Sequence, residues 1–148
     1  MIKVGLNVEL TGDLSAVGKS SKDGAMLAVK QINDRGGVKI DDRTYLLDLD
    51  ILDNQGDVST TEAVTQKLID NKDVAIIGPN ASKFAIAAGN VAEKNKILLI
   101  SPWSTNPKTT ENKKYVYRAA FIDPFQGQAL ANFASKDLKA VNAAILYD

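Results

Sequence analysis

The sequence predicts an α/β protein with a doubly wound, mostly parallel sheet between two layers of helices. Short apolar runs alternate with stretches of helical periodicity along the whole chain, as in βαβ units. The apolar run 73–78 ends at Gly78 and Pro79, which suits a strand covered on both faces. A second run, 96–101, follows a helical stripe and stops at Pro102. We therefore expect these two strands to be parallel neighbours whose carboxyl ends share one edge of the sheet.

The other elements follow from apolar spacing and from residues that favour turns and helix ends. Alternation within 45–53 indicates a strand near an edge of the sheet. Asp57 is the expected N-cap of the next helix, and Pro124 suits a first helical turn. In chain order the sequence predicts strand 2–10, loop 13–20, a helix ending at 33–37, connection 38–43, strand 45–53, helix 57–71, strand 73–78, a helix from Ser82, strand 96–101, loop 107–114, strand 115–121, a helix from Asp123, and strand 141–147.

Composition excludes several classes of protein. The 148 residues fit one domain of ordinary size, and 18 basic and 18 acidic residues leave no net charge. The chain therefore lacks the basic surface that binds nucleic acid, and no nucleic-acid partner is expected. No apolar run is long enough to cross a bilayer. Without cysteine or histidine there is no disulfide, no thiolate metal site and no Ser-His-Asp triad within this chain.

Sequence motifs of enzymes and cofactor sites are missing as well. The first strand is not followed by G-x-G-x-x-G, and neither a P-loop nor a G-x-S-x-G motif occurs. We therefore expect neither enzyme activity nor a cofactor. The acids Asp48, Asp50, Asp53 and Asp57 raise the alternative of a metal site. Solvent-facing strand positions and a helix cap account for them better, so no metal is expected.

Two turns at the carboxyl ends of the central strands form the candidate binding site. A helix N-terminus has free N–H groups and a positive dipole end, which bind carboxylate or phosphate. Ser82 adds a hydroxyl there, Thr105 adds a hydroxyl and an N–H from the neighbouring turn, and Trp103 offers a backbone carbonyl. Donors for a carboxylate beside acceptors for an ammonium would clamp an α-amino acid. The alternative is that Ser82 only caps its helix and that 104–107 only forms a turn.

The order and spacing of short motifs along the chain resemble those of one family. The matching segments are 2–5, 11–12, Gly18, 24–28, 32–33, 36–38, Asp53, 76–78, Ser82, the run Ile-Ser-Pro-Trp-Ser-Thr-Asn-Pro at 100–107, and 121–127. Over essentially all 148 residues the chain resembles the amino-terminal part of type I periplasmic binding proteins, specifically the leucine/isoleucine/valine-binding family. The resemblance implies a three-layer α/β/α lobe of the type I periplasmic-binding-protein fold.

The resemblance also implies roles for five residues. In the family, the serine after the third strand and the turn after the fourth strand hold the α-carboxylate and α-ammonium of the ligand. Ser82 would bind the carboxylate through its hydroxyl and N–H, and Thr105 would do so from the turn that also contains Ser104. Trp103 would give its carbonyl to the ammonium, and it is bulkier than the small residue familiar at that position. Val17 stands where the family often has an aromatic residue near the ligand.

A two-lobed architecture follows from the same resemblance. Two lobes close around the ligand, and a membrane permease recognises the closed form. Residues 1–121 would form most of the first lobe, incomplete, and 122–148 the hinge crossing and the start of the second lobe. The implied function is the substrate-binding component of an ABC importer for a branched-chain or related amino acid. The implied location is periplasmic or extracellular, at the membrane if the protein is a lipoprotein, with the signal segment outside this chain.

Three further expectations accompany these. A ligand-sensing receptor or regulator domain of the same fold is the alternative function, and a transmembrane helix or signalling domain after the second lobe would distinguish it. The strand at 141–147 would leave an unpaired edge, so we expect the chain to be part of a longer one and to self-associate. Because half of the ligand contacts would be missing, we expect this chain alone to bind ligand weakly.

Overall fold

The computed structural model describes residues 1–146 and has a five-stranded parallel sheet at its centre. The strands are β1 (Ile2–Val8), β2 (Val38–Ile40), β3 (Arg43–Tyr45), β4 (Leu47–Asp53), β5 (Ala75–Ile77), β6 (Leu98–Ser101) and β7 (Val116–Arg118). The helices are α1 (Ser15–Asp34), α2 (Val58–Asp70), α3 (Ser82–Asn95) and α4 (Asp123–Asn132), with a 3-10 turn at Pro107–Thr109 and a π-helical turn at Phe133–Asp137.

The central sheet has the strand order β4–β1–β5–β6–β7, and each neighbouring pair is parallel. Helices flank it, with α1 against β1 and β4 and α3 against β6 and β7. The predicted α/β fold with a mostly parallel sheet is therefore confirmed, and so is the pairing of β5 with β6. Strand β4 lies at an edge, as its alternating sequence predicts. Because the strands run in one direction, the loops after β1, β5 and β6 emerge at the same side of the sheet.

Apolar side chains from α2, α3 and the sheet form the main core. The buried cluster consists of Leu68, Ile76, Ala88, Ala92, Leu99 and Val116. Burying a leucine or isoleucine side chain this completely stabilises the fold by about 1.5–3 kcal/mol. The two alanines lie one helical turn apart, and their small size brings the α3 backbone close to the strands. The core thereby fixes the position of the helix that begins at Ser82.

The start of α1 differs from the prediction. Residues 13–20 are predicted as a loop, but the helix already begins at Ser15, so this prediction is wrong. Gly18 lies in the first helical turn against the end of β1, where a Cβ atom would come within 1.9 Å of the Glu9 carbonyl oxygen. Only glycine permits this approach. The helix start is thus determined by a packing contact that apolar periodicity does not record.

The predicted connection at 38–43 is also wrong. Strands β2 and β3 form a separate two-stranded antiparallel sheet, in which Val38 pairs with Tyr45 and Ile40 with Arg43. Asp41 has a φ of 51°, which allows a two-residue turn between them. Three-residue strands give too short a pattern for alternation to be recognised.

The predicted strand at 141–147 is wrong for residues 141–146, and Tyr147 lies outside the described residues. Within the described part of the chain, no strand runs beside this segment. Its backbone N–H and C=O groups therefore have no ladder to join. Val141, Ile145 and Leu146 are almost fully exposed. An apolar sequence that favours extended structure does not form a strand without a neighbouring strand.

Candidate functional site

A cavity of about 390 Å³ opens at the carboxyl ends of β5 and β6. Its walls come from the turn after β5, the turn after β6 and the start of α4. They consist of Asn80, Ala81, Ser82, Trp103, Thr105, Phe121 and Gln126. The structure thus brings together three of the five predicted site residues, which are Ser82, Trp103 and Thr105.

The turn after β5 requires glycine at its first position. Gly78 has a φ of +90°, and a Cβ atom there would lie 2.0 Å from the Asn7 carbonyl oxygen in the neighbouring strand. The Gly78 N–H donates to the Ile100 carbonyl of β6 at 2.9 Å. The turn therefore packs closely against β1 on one side and β6 on the other. The positive φ of Gly78 directs the chain from this turn towards α3.

A buried carboxylate holds the start of α3. Glu9 is fully buried just after β1, and its Oε1 accepts hydrogen bonds from the N–H groups of Asn80 and Ala81, both at 3.1 Å. Its Oε2 accepts from Asn80 Nδ2 at 2.7 Å. Ser21 Oγ in turn donates to Asn80 Oδ1 at 2.8 Å, which connects α1 to the same turn. Sequence analysis missed Glu9, whose only signal is an acid directly after an apolar strand.

Ser82 does not cap its own helix. Ala81 is the N-cap of α3 and has no side-chain capping hydrogen bond, so Ser82 is the first helical residue. The Ser82 hydroxyl oxygen accepts from Ser104 Oγ at 3.0 Å and from the Asn106 N–H at 3.4 Å. The alternative in which this serine serves only as a cap is therefore wrong. Among residues 1–146, the Ser82 hydroxyl donates to no protein acceptor.

Ser101 and Arg118 fix the turn after β6. Ser101 Oγ donates to the Pro79 carbonyl at 2.6 Å and accepts from the Ser104 N–H at 3.2 Å, so it joins the two turns. The Arg118 guanidinium donates to the carbonyl oxygens of Asn106 at 2.7 Å and Pro107 at 3.1 Å, and more weakly to that of Ser104. It also donates to the Thr110 hydroxyl. Hydrogen bonds with Ser101 and Arg118 thus hold the turn in place.

Thr105 and Trp103 present backbone and side-chain groups to the cavity. The Thr105 carbonyl accepts from the Asp123 N–H at 3.0 Å, which anchors the start of α4 to this turn. In the part of the chain that the structure describes, no hydrogen bond uses the Thr105 N–H or hydroxyl, or the Trp103 carbonyl. The Trp103 side chain is 51% exposed and stands at the cavity wall. Donors and an acceptor therefore remain available at this wall.

The other two predicted site residues lie outside this cavity wall. Ser104 is buried behind Ser82, and its hydroxyl is hydrogen-bonded to Ser82 and Thr109. Val17 lies in the first turn of α1 and faces a second cavity of about 490 Å³. That cavity is lined by Ala16, Val17, Ser20, Ser21, Asn80, Pro102 and Trp103. Since Asn80 and Trp103 line both cavities, the two spaces adjoin each other.

Two of the four acids considered for a metal site, Asp53 and Asp57, have structural roles. The Asp53 carboxylate accepts from the N–H groups of Leu10 and Gln55, both at 2.8 Å, and from the Thr11 hydroxyl at 2.8 Å. Partial burial raises the pKa of Asp53, but these hydrogen bonds outweigh it and hold that pKa below its usual range. Asp57 caps α2 through the Thr60 N–H, as predicted. Across residues 1–146, no group of three or more carboxylates is arranged to hold a metal ion.

The fold and this site have counterparts among known proteins. The whole chain, residues 1–148, matches the model of a family described as periplasmic binding protein. It is 31% identical to the leucine-specific-binding protein of Salmonella typhimurium over 148 residues, which is 99% of this chain and 39% of that protein. The chain therefore belongs to the periplasmic binding protein family, and the resemblance to its leucine/isoleucine/valine-binding members is confirmed.

Solved structures agree with this assignment. The substrate binding protein of a branched-chain amino acid transporter from Streptococcus pneumoniae, in complex with isoleucine, has a TM-score of 0.84 and 35% identity. The matched region covers 95% of this chain and 39% of the Streptococcus pneumoniae chain. A leucine binding protein from Thermotoga maritima has a TM-score of 0.79 and 33% identity, covering 95% of this chain and 38% of its own. The chain thus spans about two-fifths of the length of the relatives it matches.

Proposed function

We propose that this chain forms part of a substrate-binding component of an ABC importer that takes up a branched-chain or related amino acid. The observation that carries the proposal is the set of unused polar groups converging on the 390 Å³ cavity. The Ser82 hydroxyl and the Thr105 N–H and hydroxyl are donors, and they lie beside the N-terminus of α3. A carboxylate is the ligand group that accepts from all of them and also interacts favourably with the helix dipole.

The ammonium of the ligand is assigned to the Trp103 carbonyl. Trp103 lines the same cavity, and its carbonyl accepts no hydrogen bond from residues 1–146. A bound α-amino acid would therefore have its carboxylate between the two turns and its ammonium at Trp103. In this arrangement Ser104 acts from behind Ser82, and Val17 lies at the adjoining cavity, close to the ligand side chain.

We further propose that residues 1–121 form most of a first lobe and that 122–148 begin a second. Within the described residues, α4 and the π-helical turn that follows it contain no buried residue. A hydrogen bond from the Asp123 N–H to the Thr105 carbonyl joins the start of α4 to the turn after β6. This is the behaviour of a segment that leaves one packed unit to enter another. A ligand between two such lobes would be enclosed, and a membrane permease would be the partner that recognises closure.

A periplasmic or extracellular location and the absence of enzyme activity belong to the same proposal. Several relatives are named as binding proteins for leucine, or for leucine, isoleucine and valine. None of the helices in residues 1–146 combines the length and apolar character that a bilayer crossing needs. The proposed role therefore rests on ligand capture by the cavity, with transport carried out by the permease.

The first test is an NMR titration of the 148-residue chain with leucine, isoleucine, valine and a panel of other amino acids. We expect saturable amide shifts at Ser82, Trp103 and Thr105. Ser82→Ala removes one donor to the carboxylate, so we expect about tenfold weaker binding. Ser135→Ala, on the exposed π-helical turn, is the control and should bind as the unmodified chain does. No shift at these three residues with any amino acid at millimolar concentration would contradict the proposal.

A further inference from the structure

A chain of buried hydroxyl groups leads from the 3-10 turn to the cavity. The Thr109 and Ser104 hydroxyl oxygens are 2.6 Å apart, and Ser104 Oγ lies 3.0 Å from Ser82 Oγ. Thr109 is fully buried and Ser104 almost so, whereas Ser82 lines the cavity. A second donor, the Asn106 N–H, reaches Ser82 Oγ at 3.4 Å. Three hydroxyls therefore form a single path that ends at the proposed carboxylate position.

The burial of Thr109 determines the direction of this chain. In the described part of the protein, Ser104 Oγ is the one hydrogen-bond partner of the Thr109 hydroxyl. If Thr109 did not donate to Ser104, its proton would be buried without an acceptor, which is costly. Thr109 therefore donates to Ser104. Since Ser104 has only one hydroxyl proton, that proton is directed to Ser82.

We propose that this relay makes the Ser82 hydroxyl an obligate donor to the ligand. A hydroxyl oxygen has two lone pairs, and those of Ser82 are taken by Ser104 and by the Asn106 N–H. The Ser82 proton then points to the cavity, where it meets the ligand. Each donated bond also polarises the next hydroxyl, which strengthens the final one. Ser104 and Thr109 are thus positioning residues for a site whose ligand is that of the proposed function, on which this inference rests.

A donor-only Ser82 selects between a carboxylate and a carboxamide. A carboxylate accepts from both Ser82 and the Thr105 N–H with its two oxygens. A carboxamide that binds in the same orientation, with one terminal atom at each donor, turns its NH₂ group to one of these donors and leaves that donor unpaired. If Ser82 were free to accept, the NH₂ group could donate to it and the penalty would fall. The relay therefore contributes to the preference for free amino acids over their amides.

The test uses two variants that remove the same donor but differ in stability. Ser104→Ala takes the donor away from Ser82 and leaves the Thr109 hydroxyl buried without an acceptor. The double variant Ser104→Ala/Thr109→Val also removes that hydroxyl with little change in shape, so it should recover much of the lost stability. Both should lower the ratio of leucine affinity to leucinamide affinity by about fivefold to tenfold. Thr44→Ala, at an exposed position of strand β3, is the control for which the ratio should not change.

The outcomes separate this inference from the proposed function. The relay is overturned if the folded double variant has the same ratio of leucine affinity to leucinamide affinity as the unmodified chain. It is also overturned if the ratio falls in the less stable single variant and recovers in the more stable double variant. If leucine does not bind the unmodified chain, the proposed function fails for that ligand. The relay is then tested without ligand, by the exchange rates of the three hydroxyl protons with water. Slow exchange of the Thr109 and Ser104 protons, with fast exchange at Ser82, supports it. A protected Ser82 proton with a rapidly exchanging Thr109 proton overturns it.

Discussion

At the scale of single residues, Asp73 conflicts with its surroundings. Its side chain is 2% exposed, and neither carboxylate oxygen has a hydrogen-bond partner among residues 1–146. Burial raises the pKa of Asp73, the nearby negative charges of Asp50 and Asp48 raise it further, and Lys3 lowers it only in part. The folded state therefore binds the proton of this carboxyl group more tightly than the unfolded state does. Its contribution to stability is favourable at low pH and is lost as pH rises through the raised pKa.

Asp73→Asn should stabilise the protein at neutral pH. The substitution removes a buried charge that Lys3 compensates only in part and keeps the shape of the side chain, so we expect a gain of about 1–2 kcal/mol in the free energy of unfolding. Urea denaturation measured from pH 4 to pH 8 checks this, since the gain should shrink towards acid pH as the Asp73 carboxyl group becomes protonated. Asp42→Asn, at an exposed turn position, is the control. An equal effect at both ends of this pH range would contradict the assignment.

The candidate site shows which residues can be predicted from sequence and which cannot. Ser82, Trp103 and Thr105 follow directly after strands whose apolar patterns are clear, so their meeting at one edge follows from parallel pairing. Glu9 and Ser101 act through partners 71 and 22 residues away. These hydrogen bonds form because distant chain segments meet in the folded protein. The order of residue types along the chain does not show which segments meet.

At the scale of elements, β7 contributes to the site although none of its residues lines the 390 Å³ cavity. Its last residue, Arg118, reaches across to the turn after β6 and donates to three carbonyl oxygens and one hydroxyl. The guanidinium has donors arranged in a planar fork, which a lysine ammonium cannot reproduce. The turn that carries Thr105 is therefore held in shape by the neighbouring strand.

Arg118→Lys should loosen this turn while keeping the charge. A lysine reaches fewer of the four acceptors, so we expect about 1–2 kcal/mol lower stability and faster amide hydrogen exchange at Ser104 and Thr109, whose N–H groups are hydrogen-bonded within this turn. Ligand-induced shifts at Thr105 should weaken in parallel. Arg35→Lys, at the exposed end of α1, is the matched control and should leave exchange in the turn unchanged. Unchanged exchange at Ser104 and Thr109 in the Arg118 variant would contradict this role of the arginine.

The elements also show where pattern analysis succeeds and where it fails. Strands β5 and β6 and the start of α3 are predicted correctly because short apolar runs end at proline or glycine. The first turn of α1 is missed because it depends on how closely Gly18 approaches β1. The strand predicted at 141–147 does not form over residues 141–146 for the opposite reason, since its sequence is suitable but no neighbouring strand exists in the described residues. Secondary structure that relies on a distant partner is thus beyond local patterns.

At the scale of the whole molecule, α4 leaves a large apolar surface exposed. Phe121, Phe125, Leu130 and Phe133 are each more than half exposed, and they surround a groove of about 390 Å³ with Gln126 and Ala129. A contiguous apolar patch of this kind is uncommon on a monomer in water. The apolar sequence at 141–147 predicts self-association through the edge of a terminal strand, whereas the structure offers this helical face as the surface that would associate.

We expect the 148-residue chain to associate with itself through this face as its concentration rises. Leu130→Glu places a charge at the centre of the patch and should shift the equilibrium towards monomer by about tenfold or more. Sedimentation velocity over a concentration series measures this. Lys136→Glu, which changes charge outside the patch, serves as the control. A clean monomer of the unmodified chain at high concentration would contradict the expectation.

The hydrogen bonds of Glu9 have a consequence for the order of events during folding. They connect residues 71 positions apart, so the turn that leads into Ser82 depends on a strand formed at the beginning of the chain. Closing so long a loop costs conformational entropy before any contact compensates for it, and it slows folding. An isolated segment carrying both turns would therefore lack the carboxylate that shapes the first of them. Competence to capture a ligand should accordingly arise late, at the same moment as the completed sheet.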